Sequence, residues 1–224
     1  MKYICRFCDR EFSKETTLAV HLCSQKRRYQ EQNEPGVRVG FQSYLKFYEA
    51  TQGSPKTKTY EAFSKSPYYG AFVKFGRYCV DSRVINPVRF TDWLLKHNKK
   101  IDYWASDKVY EEFLLFYLTV EKMEDALTRA IEYSIKWGEE KSAAPQDFLR
   151  YGNYNTVLHA IVSGRISAWV LYNSDSGQDF LSKLTDDQRS MIWKYINPDI
   201  WSKKIKDEVE DRTVAQELLK KAGW

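Results

Sequence analysis

Ser106-Asp107-Lys108-Val109-Tyr110-Glu111-Glu112-Phe113-Leu114-Leu115-Phe116-Tyr117 sets Val109, Tyr110, Phe113, Leu114 and Tyr117 at spacings of one, three and four. That is one apolar face of an α-helix, opened by a Ser that can cap its first turn. The period returns on both sides of this stretch. It is present at Phe41, Tyr44, Leu45 and Tyr48, at Phe72, Phe75 and Cys79, and at Phe90, Leu94 and His97 behind Asn86-Pro87. Ser66-Pro67 reads as an N-cap with Pro at the first helical position. Between residues 125 and 137, Leu127, Ala130, Ile131 and Ser134 share a face. Thr185-Asp186-Asp187-Gln188 is a capping box ahead of Met191, Ile192 and Tyr195. A last helix over 212–222 ends at Gly223. Gly164-Arg165-Ile166-Ser167 reads as a helix end and a new cap, and Asn173 to Gly177 as a turn in a helical hairpin. Asp175 and Asp179 could together approach a cation, but their spacing fits no calcium loop. No Asn-Gly hairpin and no sustained period-2 alternation occurs beyond residue 40, so the body is expected to be all-α.

Composition agrees with this. Of 224 residues 43% are hydrophobic, 29% charged and 16% aromatic, while Gly (10) and Pro (6) are scarce, which implies folded helices with an aromatic core. No apolar run approaches the roughly 18–20 residues that span a bilayer, and no partner membrane is expected. The first residues lack an apolar signal-peptide core, which argues against secretion. Four cysteines, two of them in Cys-x-x-Cys, make no disulfide framework and point to a reducing, intracellular compartment. Charge is uneven. Residues 1–100 hold 19 Lys/Arg against 9 Asp/Glu, and residues 101–224 hold 16 against 21. A basic first half suggests an anionic partner, nucleic acid first and DNA ahead of RNA, unless folding interleaves the charges.

The N-terminus runs Tyr3-Ile4-Cys5-Arg6-Phe7-Cys8 and then places Phe12, Leu18 and His21. These positions resemble the two-Cys/two-His zinc finger, with its aromatic-x-Cys-x2-Cys-x3-Phe-x5-Leu-x2-His pattern. Two cysteines on one turn aim both thiolates at a point, and a short helix carries a histidine to the same zinc. Phe12 and Leu18 supply a miniature core. The fourth ligand departs from the pattern: where the family has His or Cys, this chain has Gln25, Lys26 or Arg27. Cys23 is the remaining candidate. Positions i and i+2 of a helix point about 200° apart, so Cys23 joins Cys5, Cys8 and His21 only if the helix stops near His21. A redox Cys-x-x-Cys and a metal-free, degenerate finger are the other options. The finger resemblance implies Lys14, Thr17 and Val20 as base-facing positions, over about 3 base pairs.

Lys26-Arg27-Arg28 follows at once and suits either phosphate contact or a solvated helix end. Asn33-Glu34-Pro35-Gly36 marks a linker, which gives a module at 1–32, a linker at 33–39 and an all-helical domain at 40–224. The expected class is mainly α: a small ββα zinc-finger-like module, then helices. Residues 40–100 carry eleven Lys/Arg among thirteen aromatics. Cations tracking a backbone and rings stacking on bases are the two parts of a single-strand binder, although most aromatics in a helical domain are core. The candidates are Lys65, Lys74, Arg77, Arg83 and Arg89 for phosphate, with Tyr69 or Tyr78 for stacking.

Gly164-Arg165-Ile166-Ser167 entering a helix, and Leu184 to Ile196 with Trp193-x-x-Ile196, resemble the helicase-loading proteins of tailed phages. That resemblance implies a helical, DNA-binding replication accessory in a host cytoplasm, with a replication or transcription protein as partner. No Gly-rich phosphate loop, Gly-x-Ser-x-Gly or His-Glu-x-x-His is present, so no enzyme is expected. The alternative is a protein-interaction adaptor using the finger, the acidic half and the terminal Trp224 as an exposed anchor.

Overall fold

Helical periodicity and capping dominate the chain, and the computed structural model, which describes residues 2–52 and 58–224, is mainly α-helical. It divides into two units, one ending at Phe113 and one beginning at Leu114. The division falls within a helix.

The first unit opens with strands β1 (Tyr3–Ile4) and β2 (Glu11–Phe12), antiparallel, with Tyr3 opposite Phe12. Helices α1 (Glu15–Val20) and α2 (Ser24–Gln30) follow. Then come α3 (Pro35–Gln52), α4 (Tyr60–Lys65), α5 (Tyr69–Asp81), α6 (Pro87–Lys96) and α7 (Asp107–Val120). Asn86 caps α6 by accepting from Arg89 N–H, with Pro87 in the first turn, as its dipeptide predicts. Ser66 behaves differently from its expected role. It closes α4, and its hydroxyl accepts from Tyr68 N–H, so α5 starts at Tyr69 instead of Pro67.

The expected linker at 33–39 is helical from Pro35 onward. Gly36 serves there as a close-packing residue. A Cβ built on Gly76 of α5 would stand 1.9 Å from the Gly36 carbonyl oxygen and 2.5 Å from Gly40 N. Helices α3 and α5 therefore touch backbone to backbone, which only missing side chains permit. Around this crossing Tyr44, Phe63, Phe72, Phe75, Phe90 and Trp104 form the buried aromatic core. Their rings meet mostly tilted or edge-on, as with Phe72 against Trp104 at 5.8 Å and 86°.

The second unit holds α8 (Met123–Lys141), α9 (Phe148–Tyr151), α10 (Tyr154–Val162), α11 (Ala168–Asn173), α12 (Asp175–Ser182), α13 (Asp186–Ile196), α14 (Pro198–Asp207) and α15 (Val209–Lys221). The capping box at Thr185 and Gln188 is formed. Ser167 caps α11, and Gly223 takes a left-handed φ of 80° after α15. The turn expected over 173–177 shrinks to Ser174, which caps α12 through Gly177 N–H, so Asp175 is already helical. Trp169, Trp201, Phe148 and Ile161 are buried in the core. Trp224 is 5% exposed, which removes it as a surface anchor. Glu121 and Arg129 form a buried ion pair of 2.6 Å, and Arg129 Nε–H also donates to the Gly164 carbonyl. No helix among the described residues is long and apolar enough to cross a membrane.

Candidate metal centre

Cys5 follows β1, and its carbonyl accepts from the N–H groups of Cys8 and Asp9, while its own N–H donates to the Arg10 carbonyl. Asp9 sits at φ 55°, a left-handed position that Asp tolerates. This tight turn brings the Cys5 and Cys8 thiols to one side. Helix α1 stops at Val20, and His21 is extended (φ −67°, ψ 123°). The condition that Cys23 needed is thereby met. Cys23 is extended too (φ −78°, ψ 165°) and forms the N-cap of α2.

The four side chains converge. Cys5 Sγ is 4.0 Å from Cys23 Sγ, and Cys8 Sγ is 3.3 Å from His21 Nε2. All four donor atoms lie within 4.8 Å of one another. Sulfurs in a tetrahedral site with bonds of about 2.3 Å stand about 3.8 Å apart, so this set could hold one metal ion. Cys5 is buried and the other three are half-buried. The Phe12 ring packs on the His21 imidazole at 4.7 Å and helps fix its plane. Lys26 N–H donates to Cys23 Sγ (3.4 Å), and Lys26 Nζ to the His21 carbonyl (3.1 Å). Cys79, the fourth cysteine of the chain, lies in the α5 core, where burial pushes its thiol up to about 12.

The basic candidates divide into two groups. Arg27, Arg28, Tyr69, Lys74, Arg77 and Tyr78 line one cleft of about 720 Å³ between α2 and α5, together with Glu31 and Asp81. Arg28 donates to the Ser64 carbonyl (2.8 Å) and lies 4.5 Å over the Tyr69 ring. Tyr69 is 5% exposed, covered by Arg28 and by Phe63 at 4.8 Å, so it serves as part of the wall and cannot act as an open stacking platform. Arg77 makes a two-pronged contact with Glu34, both bonds 2.7 Å, and this holds the Glu34 carboxyl below its usual range. Tyr78 is half-buried and donates to Asp107 at 3.0 Å. Arg27 and Lys74 are exposed, and neither is in an ion pair among the described residues.

The second group lies outside the cleft. Lys14 and Thr17 are exposed at and on α1, and Lys65 pairs with Glu61 at 2.8 Å. Arg83 is exposed at φ 50° beyond α5, and Arg89 is exposed on α6. The sequence pattern placed Glu34 in the linker and gave no role to Tyr60 or Gly70. Glu34 stands 43 positions from Arg77, Tyr60 donates to the Arg28 carbonyl, and Gly70 has nothing within 4 Å of the space a Cβ would fill. No local motif points to these contacts. Comparison with protein-family models, with curated proteins and with solved structures finds no match for this chain.

Proposed function

We propose that the chain is a nucleic-acid-binding accessory protein whose N-terminal module is organised by a structural zinc ion. Three thiols and one imidazole are a donor set that suits zinc, and four protein ligands leave no open position for chemistry on the metal. The nucleic-acid reading is carried by one observation. Four cations predicted to contact phosphate, Arg27, Arg28, Lys74 and Arg77, come from two helices and meet in a single cleft. Among the described residues Arg27 and Lys74 pair with no carboxylate, and Arg28 and Arg77 are already oriented by protein contacts. Lys14 at the N-cap of α1 and Thr17 on α1 would extend contact beyond the cleft. A replication role beside a helicase is the narrower proposal, supported by the resemblance at 164–167 and 184–196.

The test is zinc content per chain, with oligonucleotide binding, single- and double-stranded, measured across salt. One zinc per chain is expected. The logarithm of affinity should fall by about 0.7–0.9 per neutralised phosphate for each tenfold rise in salt. Affinity that is flat with salt would refute the nucleic-acid reading, and no bound zinc would refute the metal.

A further inference from the structure

We propose that the metal ion sets the position of the cleft's first cation, Arg27, through α2, so that nucleic-acid binding depends on metal occupancy although no metal ligand lines the cleft. This rests on the nucleic-acid reading above. Helix α2 has seven residues, too few to be stable alone. Its N-cap is the Cys23 sulfur, which accepts from Lys26 N–H, and Lys26 Nζ ties its first turn to the His21 carbonyl. Phe7, between the two cysteines of the turn, packs on Tyr29 of α2 at 5.4 Å, and Tyr29 packs on Tyr60 at 6.2 Å. The metal turn thus grips α2 at its start and along one side.

The other side of α2 is gripped by the helical body. Arg28 donates to Ser64, its carbonyl accepts from Tyr60, and its guanidinium covers Tyr69. Arg27, one position earlier, is exposed and makes no such contact among the described residues. Within the module, Phe12 and Leu18 are only half-buried, so little but the metal holds the turn, α1 and the Cys23 cap together. Removing the metal frees the Cys23 sulfur and Phe7 at the same time. Helix α2 then frays from its N-terminus, Arg27 loses its place, and Arg28 keeps its contacts with α4 and α5.

The experiment compares zinc-loaded and chelator-stripped full-length protein, by hydrogen exchange and by anisotropy of a labelled single-stranded oligonucleotide. Stripping should deprotect residues 24–30 while the amides of α3 and α5 stay protected. It should weaken binding about tenfold or more, as expected for losing a charge-assisted contact. Arg27→Gln should weaken the loaded protein similarly and the stripped protein little. Phe7→Ala keeps all four ligands. It should retain one zinc yet show faster exchange over 24–30 and weaker binding. Loaded and stripped proteins that bind alike, or unchanged exchange at 24–30, would overturn the coupling while leaving the nucleic-acid reading intact. A loaded protein that binds no oligonucleotide overturns that reading, and the proposed dependence with it.

Discussion

Gly76→Ala adds one methyl group at the point where α3 and α5 touch. The new carbon would stand 1.9 Å from Gly36 O and 2.5 Å from Gly40 N, and real Cβ contacts do not fall below 3.0 Å. The two backbones must therefore separate by about 1 Å. Both clashing atoms are backbone, so no side chain can turn aside to relieve them. Overpacking of this kind costs about 1–3 kcal/mol, here at the upper end, while exchanging Gly for Ala inside a helix returns about 0.5–1 kcal/mol. The net loss is about 2 kcal/mol, which lowers Tm by about 4–8 °C for a chain of this size. Gly70→Ala in the same helix is the control, because nothing lies within 4 Å of its Cβ position. It should leave Tm unchanged or raise it slightly. Thermal unfolding followed by circular dichroism separates the two variants. Equal or increased stability of Gly76→Ala would refute the close-packing account. The same separation would move Arg77, whose Cγ lies 2.6 Å from the Cβ position of Gly36, so oligonucleotide affinity should fall with stability.

Arg129→Met strands the buried Glu121 carboxylate, whose pKa is already raised by burial against the opposing pull of Arg129. The loss should be about 3–5 kcal/mol by urea titration. It should shrink as pH falls: with a folded pKa above the unfolded one, the folded state gains stability on protonating Glu121 and loses it as pH rises through that folded pKa. Trp224→Ala removes a buried indole while keeping the backbone bond from Trp224 N–H to the Leu219 carbonyl, and should cost about 3 kcal/mol through the cavity left, which calorimetry would register as a lower Tm. Iodoacetamide at pH 8 should spare the zinc-loaded protein and add three groups after chelation, at Cys5, Cys8 and Cys23. Cys79, buried and held protonated, stays unmodified, and a fourth adduct on folded protein would contradict its placement. Lys74→Glu should weaken oligonucleotide binding and reduce the salt slope by about one, and an unchanged slope would remove Lys74 from the contact set.

The helices were legible because their causes are local. The capping box at Thr185 and the Asn86-Pro87 start are written within four residues, and the structure forms both. The Cys/His cluster was legible for the same reason, with one condition. Whether Cys23 could reach depended on the backbone at His21, and its extended conformation is the fact that spacing could only name as a requirement. What escaped the sequence has its cause far along the chain. Gly36 reads as turn punctuation because local sequence treats glycine as freedom of φ. Its actual use is the absence of a Cβ, required by Gly76 forty positions away. Tyr69 looks like a base-stacking ring until Arg28 and Phe63 are seen to cover it.

Arg77 shows how the same distance limit bears on function. Counted in the sequence it is one cation among eleven between residues 40 and 100. In the fold its two-pronged contact with Glu34 cancels much of its charge and fixes its direction. A basic stretch therefore overstates the positive potential it will present, because the acids that neutralise it come from elsewhere in the chain. The effective charge of the cleft is what remains after such pairing: among the described residues Arg27, Arg28 and Lys74 meet no carboxylate partner, while Glu31 and Asp81 stand in the same wall. Lys74 stands on the body helix α5, and Arg27 and Arg28 stand on α2, capped by a metal-ligand candidate. Two of these three cations therefore belong to a helix whose N-cap is Cys23, one of the four clustered donors, so the charge of the cleft depends on how the N-terminal module holds α2.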